Sequence, residues 1–151
     1  MRTFMLLAMA AALAGCGARA VHVVMPGADA TVDELCRRYP IAPDADVRVE
    51  RIARSDAASV HLVQVRGSET PQRHASHDLA VTMLHGEGLL HVAGATRAVR
   101  AGDTVFVPRG ALHWFARGGA DVAVTLAVFS PPLDAPDTVP VDDVDSSGDA
   151  R

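Results

Sequence analysis

GDTVFVPRGALHWF, residues 102–115, decides the fold. Gly102 and Asp103 are turn formers, and Val105 and Val107 then alternate in the period of two that a half-buried strand requires. Pro108 and Gly110 force a second corner before His113 opens another alternating run. His113 and Phe115 therefore share one strand face, and Trp114 takes the other. Turn, strand, turn, strand in so short a stretch belongs to an antiparallel β-protein.

The same grammar extends outward. VRVERIAR from Val47, VHLVQVR from Val60, LAVTMLHG from Leu79, LLHVAG from Leu89 and DVAVTLAVF from Asp121 are short β-prone runs bounded by Gly, Pro or Asp. No helical stripe separates them, so the spacing predicts a sandwich or barrel over residues 48–132. Upstream, TVDELCRRY reads as a short helix. Thr31 is its N-cap, with Glu34 at the capping-box spacing and Val32, Leu35 and Tyr39 on one side. Cys36 lies beside that stripe and reads as a small buried hydrophobe, because no Cys–His pairing is visible in its neighbourhood. Residues 17–30 read as a small-residue tether, and residues 133–151 as an acidic, disordered tail.

The chain has 151 residues, the size of one domain, and 49% of them are apolar, largely Ala and Val, with only 4% aromatic. That composition suits strands better than a bundle packed on large side chains. A net charge of −4 without a basic stripe excludes nucleic acid as a partner.

Residues 1–16, MRTFMLLAMAAALAGC, carry a positive start, an apolar run too short to span a bilayer as a mature helix, and small residues before a cysteine. LAGC at residues 13–16 resembles the lipobox of bacterial lipoproteins. The resemblance implies a signal peptide over residues 1–15, lipidation of Cys16 and a lipidated tether with the short helix over residues 16–47. Gly17, in place of Asp, resembles the pattern sorted to the outer membrane, so the expected location is the bacterial cell envelope, anchored in the outer membrane and facing the periplasm.

Gly102, Pro108, Gly110 and His113 stand at the spacing of the second conserved motif of the cupins, which this chain resembles; Arg117 replaces the motif's closing Asn. The first cupin motif resembles RHASHDLAVTMLHGEG in a degraded form. With Gly86 as its closing glycine and Gly67 as its leading one, the motif's two histidines fall on Gln72 and His74, and its glutamate falls on Leu79. The resemblance implies an antiparallel jelly-roll β-barrel with a pocket inside. It further implies a divalent transition metal, Fe, Mn, Ni or Zn, held by imidazoles with positions open to a small-molecule ligand. His74 and His113 would come from neighbouring strands, and the third ligand is expected from His77, with Gln72 and Asp78 as alternatives. Gln64, Met83 and Phe115 are candidates for the pocket wall, Gln64 only if its strand face points inward. His85 is expected at the surface and His22 in the tether, while His61 and His91 alternate with Leu62 and Leu90 and could face either way, the surface being the expected place. The expected function is an envelope-anchored cupin that binds a metal and a small molecule. The alternatives are a metal-dependent oxygenase or isomerase and a metal-free binding or structural module. A homodimer is among the expected assemblies.

Overall fold

The computed structural model describes residues 20–25 and 28–141. Two five-stranded antiparallel sheets form the jelly roll. One has the order β3 (Val47–Arg54), β4 (Ser59–Val65), β11 (Ala123–Ser130), β6 (Asp78–His85), β9 (Thr104–Val107). The other has the order β12 (Thr138–Pro140), β5 (Gln72–His74), β10 (His113–Arg117), β7 (Glu87–Val92), β8 (Ala95–Arg100). The non-consecutive neighbours show how the chain crosses repeatedly between the sheets, so residues far apart in sequence meet in one barrel.

The corners are where the sequence places them. Gly86, Gly102 and Gly110 all have positive φ, and the Asp103 carboxylate accepts the Arg100 N–H across the β8–β9 turn. Between β7 and β8 the loop is Ala93–Gly94 alone, with φ 47° and 76°. Positive φ at both central positions gives the twist that a two-residue hairpin needs.

Period-two alternation sorts the interior. Val63, Val65, Leu79, Met83, Val107, Phe115 and Phe129 point into the barrel and form its principal apolar cluster. On the back of the first sheet a second cluster joins Leu62 and Val124 to Val23, Val32 and Leu35. The latter three belong to a hairpin, β1 (His22–Met25) and β2 (Ala28–Thr31), and to the helix α1 (Val32–Arg38). The Thr31 hydroxyl accepts the Glu34 N–H while the Glu34 carboxylate accepts the Thr31 N–H, completing the capping box. Cys36 packs half-buried at the edge of this cluster, and burial raises its thiol pKa. Among the described residues no helix is long and apolar enough to cross a membrane.

Two boundaries differ from the sequence reading. The described part of the tether is not a linker, because residues 22–25 pair with residues 28–31 as β1 and β2, with His22 hydrogen-bonded to Asp29. The acidic tail is not disordered from residue 133, because β12 pairs with β5 along Thr138–His74, Val139–Arg73 and Pro140–Gln72. Cys16 and the signal-like run lie outside the described residues, as do residues 142–151.

Candidate functional site

A cavity of about 320 Å³ fills the barrel. Its walls are mostly apolar, with Met83 and Phe115 among them. The polar side chains that reach it come mostly from one strip of the second sheet and its lead-in: Glu69, Thr70, Gln72 and His74 from the segment around β5, His113 from β10 and Thr138 from β12. Thr125 of β11 is the remaining one among the described residues.

His74 and His113 are brought together. Strand β10 pairs with β5, and the two rings lie with centroids 5.1 Å apart, tilted by 40°. Each has its Nδ1 occupied from behind. His74 Nδ1 lies 2.9 Å from Oδ1 of Asp137, and His113 Nδ1 donates to the Ala111 carbonyl at 3.1 Å. A carboxylate and a carbonyl can only accept, so both Nδ1 atoms carry the hydrogen, and in the neutral ring Nε2 is left as a lone pair. No protein partner occupies either Nε2 among the described residues. Burial lowers the His113 pKa, with His74 adding to the effect and the Ala111 bond opposing it, which keeps the ring neutral at pH 7.

His77 is placed elsewhere. Its Nδ1 hydrogen-bonds Oδ2 of the same Asp137, its Nε2 lies 3.1 Å from the Pro132 carbonyl, and it does not line the cavity. Asp78 also turns away, accepting the backbone and guanidinium N–H groups of Arg109, which hold its carboxyl below the usual range. The alternation of β6 explains this: Leu79, Val81 and Met83 face the cavity, so Asp78 faces outward. Gln72, two residues before His74, lines the cavity. Gln64 does not, because it shares the outer face of β4 with Leu62 and donates to the Tyr39 carbonyl at the end of α1, 2.6 Å away.

The other histidines divide similarly. His61, expected at the surface, is 4% exposed; its Nε2 is 2.9 Å from the Ser59 hydroxyl and Phe129 packs edge-on against it. Burial lowers its pKa, assisted by Arg51. His85 is exposed, and His91 stacks on Trp114 at 4.2 Å on the outside of the barrel.

Two carboxylates escaped the sequence reading. Asp137 reaches His74, His77 and the Ser76 N–H at once. Burial alone would raise its pKa, but those hydrogen bonds prevail and hold it lowered. Glu69 lines the cavity, and its Oε2 accepts the Phe115 N–H at 2.9 Å while its own N–H donates to the Phe115 carbonyl. Burial pushes its carboxyl up to about 7. The residue is half-buried and borders the cavity.

The donor set fits a divalent ion only in part. Two imidazole rings and the Gln72 side chain line one space, and Leu79 stands where the cupin motif has its carboxylate. Among the described residues no three His, Cys, Asp or Glu side chains converge on a common point. First-row metals want at least three well-placed donors, so an ion held here relies on a neutral amide for its third protein ligand.

Residues 59–129 match the family model described as Cupin domain. An acireductone dioxygenase from Gluconacetobacter diazotrophicus is 33% identical over 134 residues, covering 81% of this chain and 75% of that protein. An uncharacterized protein from Aquifex aeolicus is 37% identical over 97 residues, covering 64% of this chain and 79% of that one. Among solved structures, TT1209 from Thermus thermophilus superposes with a TM-score of 0.58 at 23% identity, covering 65% of this chain and 94% of that chain.

Proposed function

Because this chain belongs to the cupin superfamily, we propose that its barrel binds a small organic molecule, apolar in body and polar at one end, with the polar end at the His74–His113 edge and a divalent metal ion beside it. The observation that carries this reading is the pair of facing rings over an apolar cavity, each held from behind through Nδ1. Fixing Nδ1–H on a backing acceptor is how proteins ready Nε2 for a ligand. His74, His113 and Gln72 would hold the ion, which would supply a positive centre able to orient and polarise a bound oxygen atom. The apolar walls would exclude water from the ligand's body, and Phe115, next but one to His113 on the same face, would set its position.

A metal-dependent dioxygenase is the second reading, favoured by the similarity to an acireductone dioxygenase over most of the chain. Against it stand Leu79 and Gln72 at two of the motif's four ligand positions. The LAGC pattern at residues 13–16 supports a lipid anchor at Cys16 and a place in the bacterial outer membrane, facing the periplasm.

The test is metal uptake by the purified chain, measured by elemental analysis after loading with Zn²⁺, Mn²⁺, Fe²⁺ or Ni²⁺ and desalting. One equivalent of ion is expected. His74→Ala and His113→Ala should each remove most of it, and His85→Ala none. Full occupancy in His74→Ala would refute the metal site.

A further inference from the structure

Glu69 is the one carboxylate that lines the cavity among the described residues, and it forms no three-residue ion-holding cluster with the histidine pair. We propose that Glu69 anchors the protonated amine of a ligand whose remainder is compact and apolar, an assignment that rests on the cavity being a small-molecule site.

Three observations carry it. The carboxyl is fixed rather than free to swing, because Glu69 and Phe115 exchange two hydrogen bonds: Phe115 N–H to Oε2 and Glu69 N–H to the Phe115 carbonyl. One face of the carboxyl is thereby occupied, leaving Oε1 without a protein donor among the described residues. Next, no cation compensates it. The chain has no lysine, and none of its described arginines lines the cavity. No ion pair to Glu69 forms among the described residues. Finally, none of the other polar side chains that line the cavity, Thr70, Gln72, His74, His113, Thr125 and Thr138, hydrogen-bonds the Glu69 carboxyl among the described residues.

An enclosed carboxylate without a cation is an unfavourable arrangement unless a ligand completes it. Burial raises the Glu69 pKa, and the Phe115 N–H offsets only part of that rise. An ammonium group offsets the desolvation through a charge-assisted hydrogen bond in a low-dielectric space. A neutral ligand of the same shape gains less. An anionic one meets Glu69 with no arginine to neutralise it.

The experiment compares 2-phenylethylamine, 2-phenylethanol and phenylacetate, three probes of nearly one shape, binding at pH 7.5 to chelator-treated protein by calorimetry and by amide chemical shifts. The amine should bind about tenfold or more tightly than the alcohol, and phenylacetate more weakly than either. Glu69→Gln, whose amide keeps the shape and an acceptor for Phe115 N–H, should reduce amine binding to the level of the alcohol and leave the alcohol unchanged. Its amide spectrum should show that the barrel is intact, with Glu69→Ala as the second variant should Gln perturb it. Zn²⁺ uptake should be the same in Glu69→Gln as in the parent. Equal binding of amine and alcohol, or an amine preference that survives in both variants, would overturn the assignment while leaving the cavity a small-molecule site. Loss of Zn²⁺ uptake would make Glu69 an ion ligand and overturn it too. Binding of none of the three probes would overturn both this assignment and the small-molecule reading beneath it.

Discussion

Replacing Glu69 by Gln isolates what it costs the fold to enclose one carboxyl in an apolar barrel. Its pKa is raised from an ordinary 4.5 to about 7, because burial disfavours the charged form by more than the Phe115 N–H favours it. Well below pH 4.5 the group is protonated in folded and unfolded chain alike and contributes no pH dependence. Between 4.5 and about 7 the unfolded chain releases the proton while the folded chain keeps it, so stability falls as pH rises. The slope is about 1.4 kcal/mol per pH unit, and above pH 7 the whole cost, about 3 kcal/mol, is present. Glutamine never ionises and keeps a carbonyl to accept the Phe115 N–H. Glu69→Gln should therefore match the parent within about 1 kcal/mol at pH 4 and exceed it by about 2 to 3 kcal/mol at pH 8. Urea unfolding at the two pH values, followed by fluorescence of Trp114, the single tryptophan, measures this directly. Comparing the two proteins cancels every other titrating group. A difference that does not change with pH, or a variant less stable than the parent at pH 8, would refute the assignment of a buried, proton-holding carboxyl.

Other perturbations read other parts of the molecule. Asp137→Asn leaves one carbonyl oxygen where two carboxylate oxygens now accept from His74, His77 and the Ser76 N–H, and should cost about 3 kcal/mol in chemical unfolding. Imidazole ¹⁵N shifts should show His74 losing its fixed Nδ1–H form, and unchanged shifts would contradict the role given to Asp137. Gly88→Ala places a methyl group onto the Phe115 ring and the Ala116 carbonyl, and a loss of about 3 kcal/mol or more is expected by the same assay. Metabolic labelling with a fatty-acid analogue should mark the parent chain and not Cys16→Ala; equal labelling would remove the anchor.

The strands legible in the sequence are those where alternation and corners coincide. Residues 102–115 announce β9, its two turns and the opening of β10, and the opposite faces of Trp114 and Phe115 follow from the same period. Strands β1, β2, β8 and β12 are not legible, for two physical reasons. ATRAVR in β8 is exposed on most positions, so it shows no apolar alternation. The others are three or four residues long and are held by pairing with a neighbour rather than by any pattern of their own. Strand β4 raises a different difficulty. It is buried on both faces, by the barrel interior on one side and by α1 with its hairpin on the other, and a run such as VHLVQV cannot announce which face is which. Gln64 and His61 depart from their expected places for that reason alone.

The same limit, applied to the site, separates its two histidines from its two carboxylates. His74 and His113 stand at motif positions whose strands are fixed by nearby Gly and Pro, so their meeting is a consequence of local sequence plus the barrel. Asp137 acts across 63 residues, from a segment whose Pro- and Asp-rich composition reads as disordered because composition does not record the β12–β5 pairing. Glu69 lies five residues before His74, ahead of Pro71 in a stretch without alternation, and only the crossing of β10 beside it turns its side chain inward. Position 79 shows what these two acids mean together. Leu79 takes the place of the motif's carboxylate in the cavity wall, whereas Asp137 supports His74 from outside the cavity and Glu69 lines it without a cationic partner among the described residues. The negative charge that the motif would place among the imidazoles has been replaced by one behind them and one apart from them. A ligand's cation can therefore meet Glu69 without competing for the histidine pair, which is why amine binding and ion uptake should respond to different substitutions.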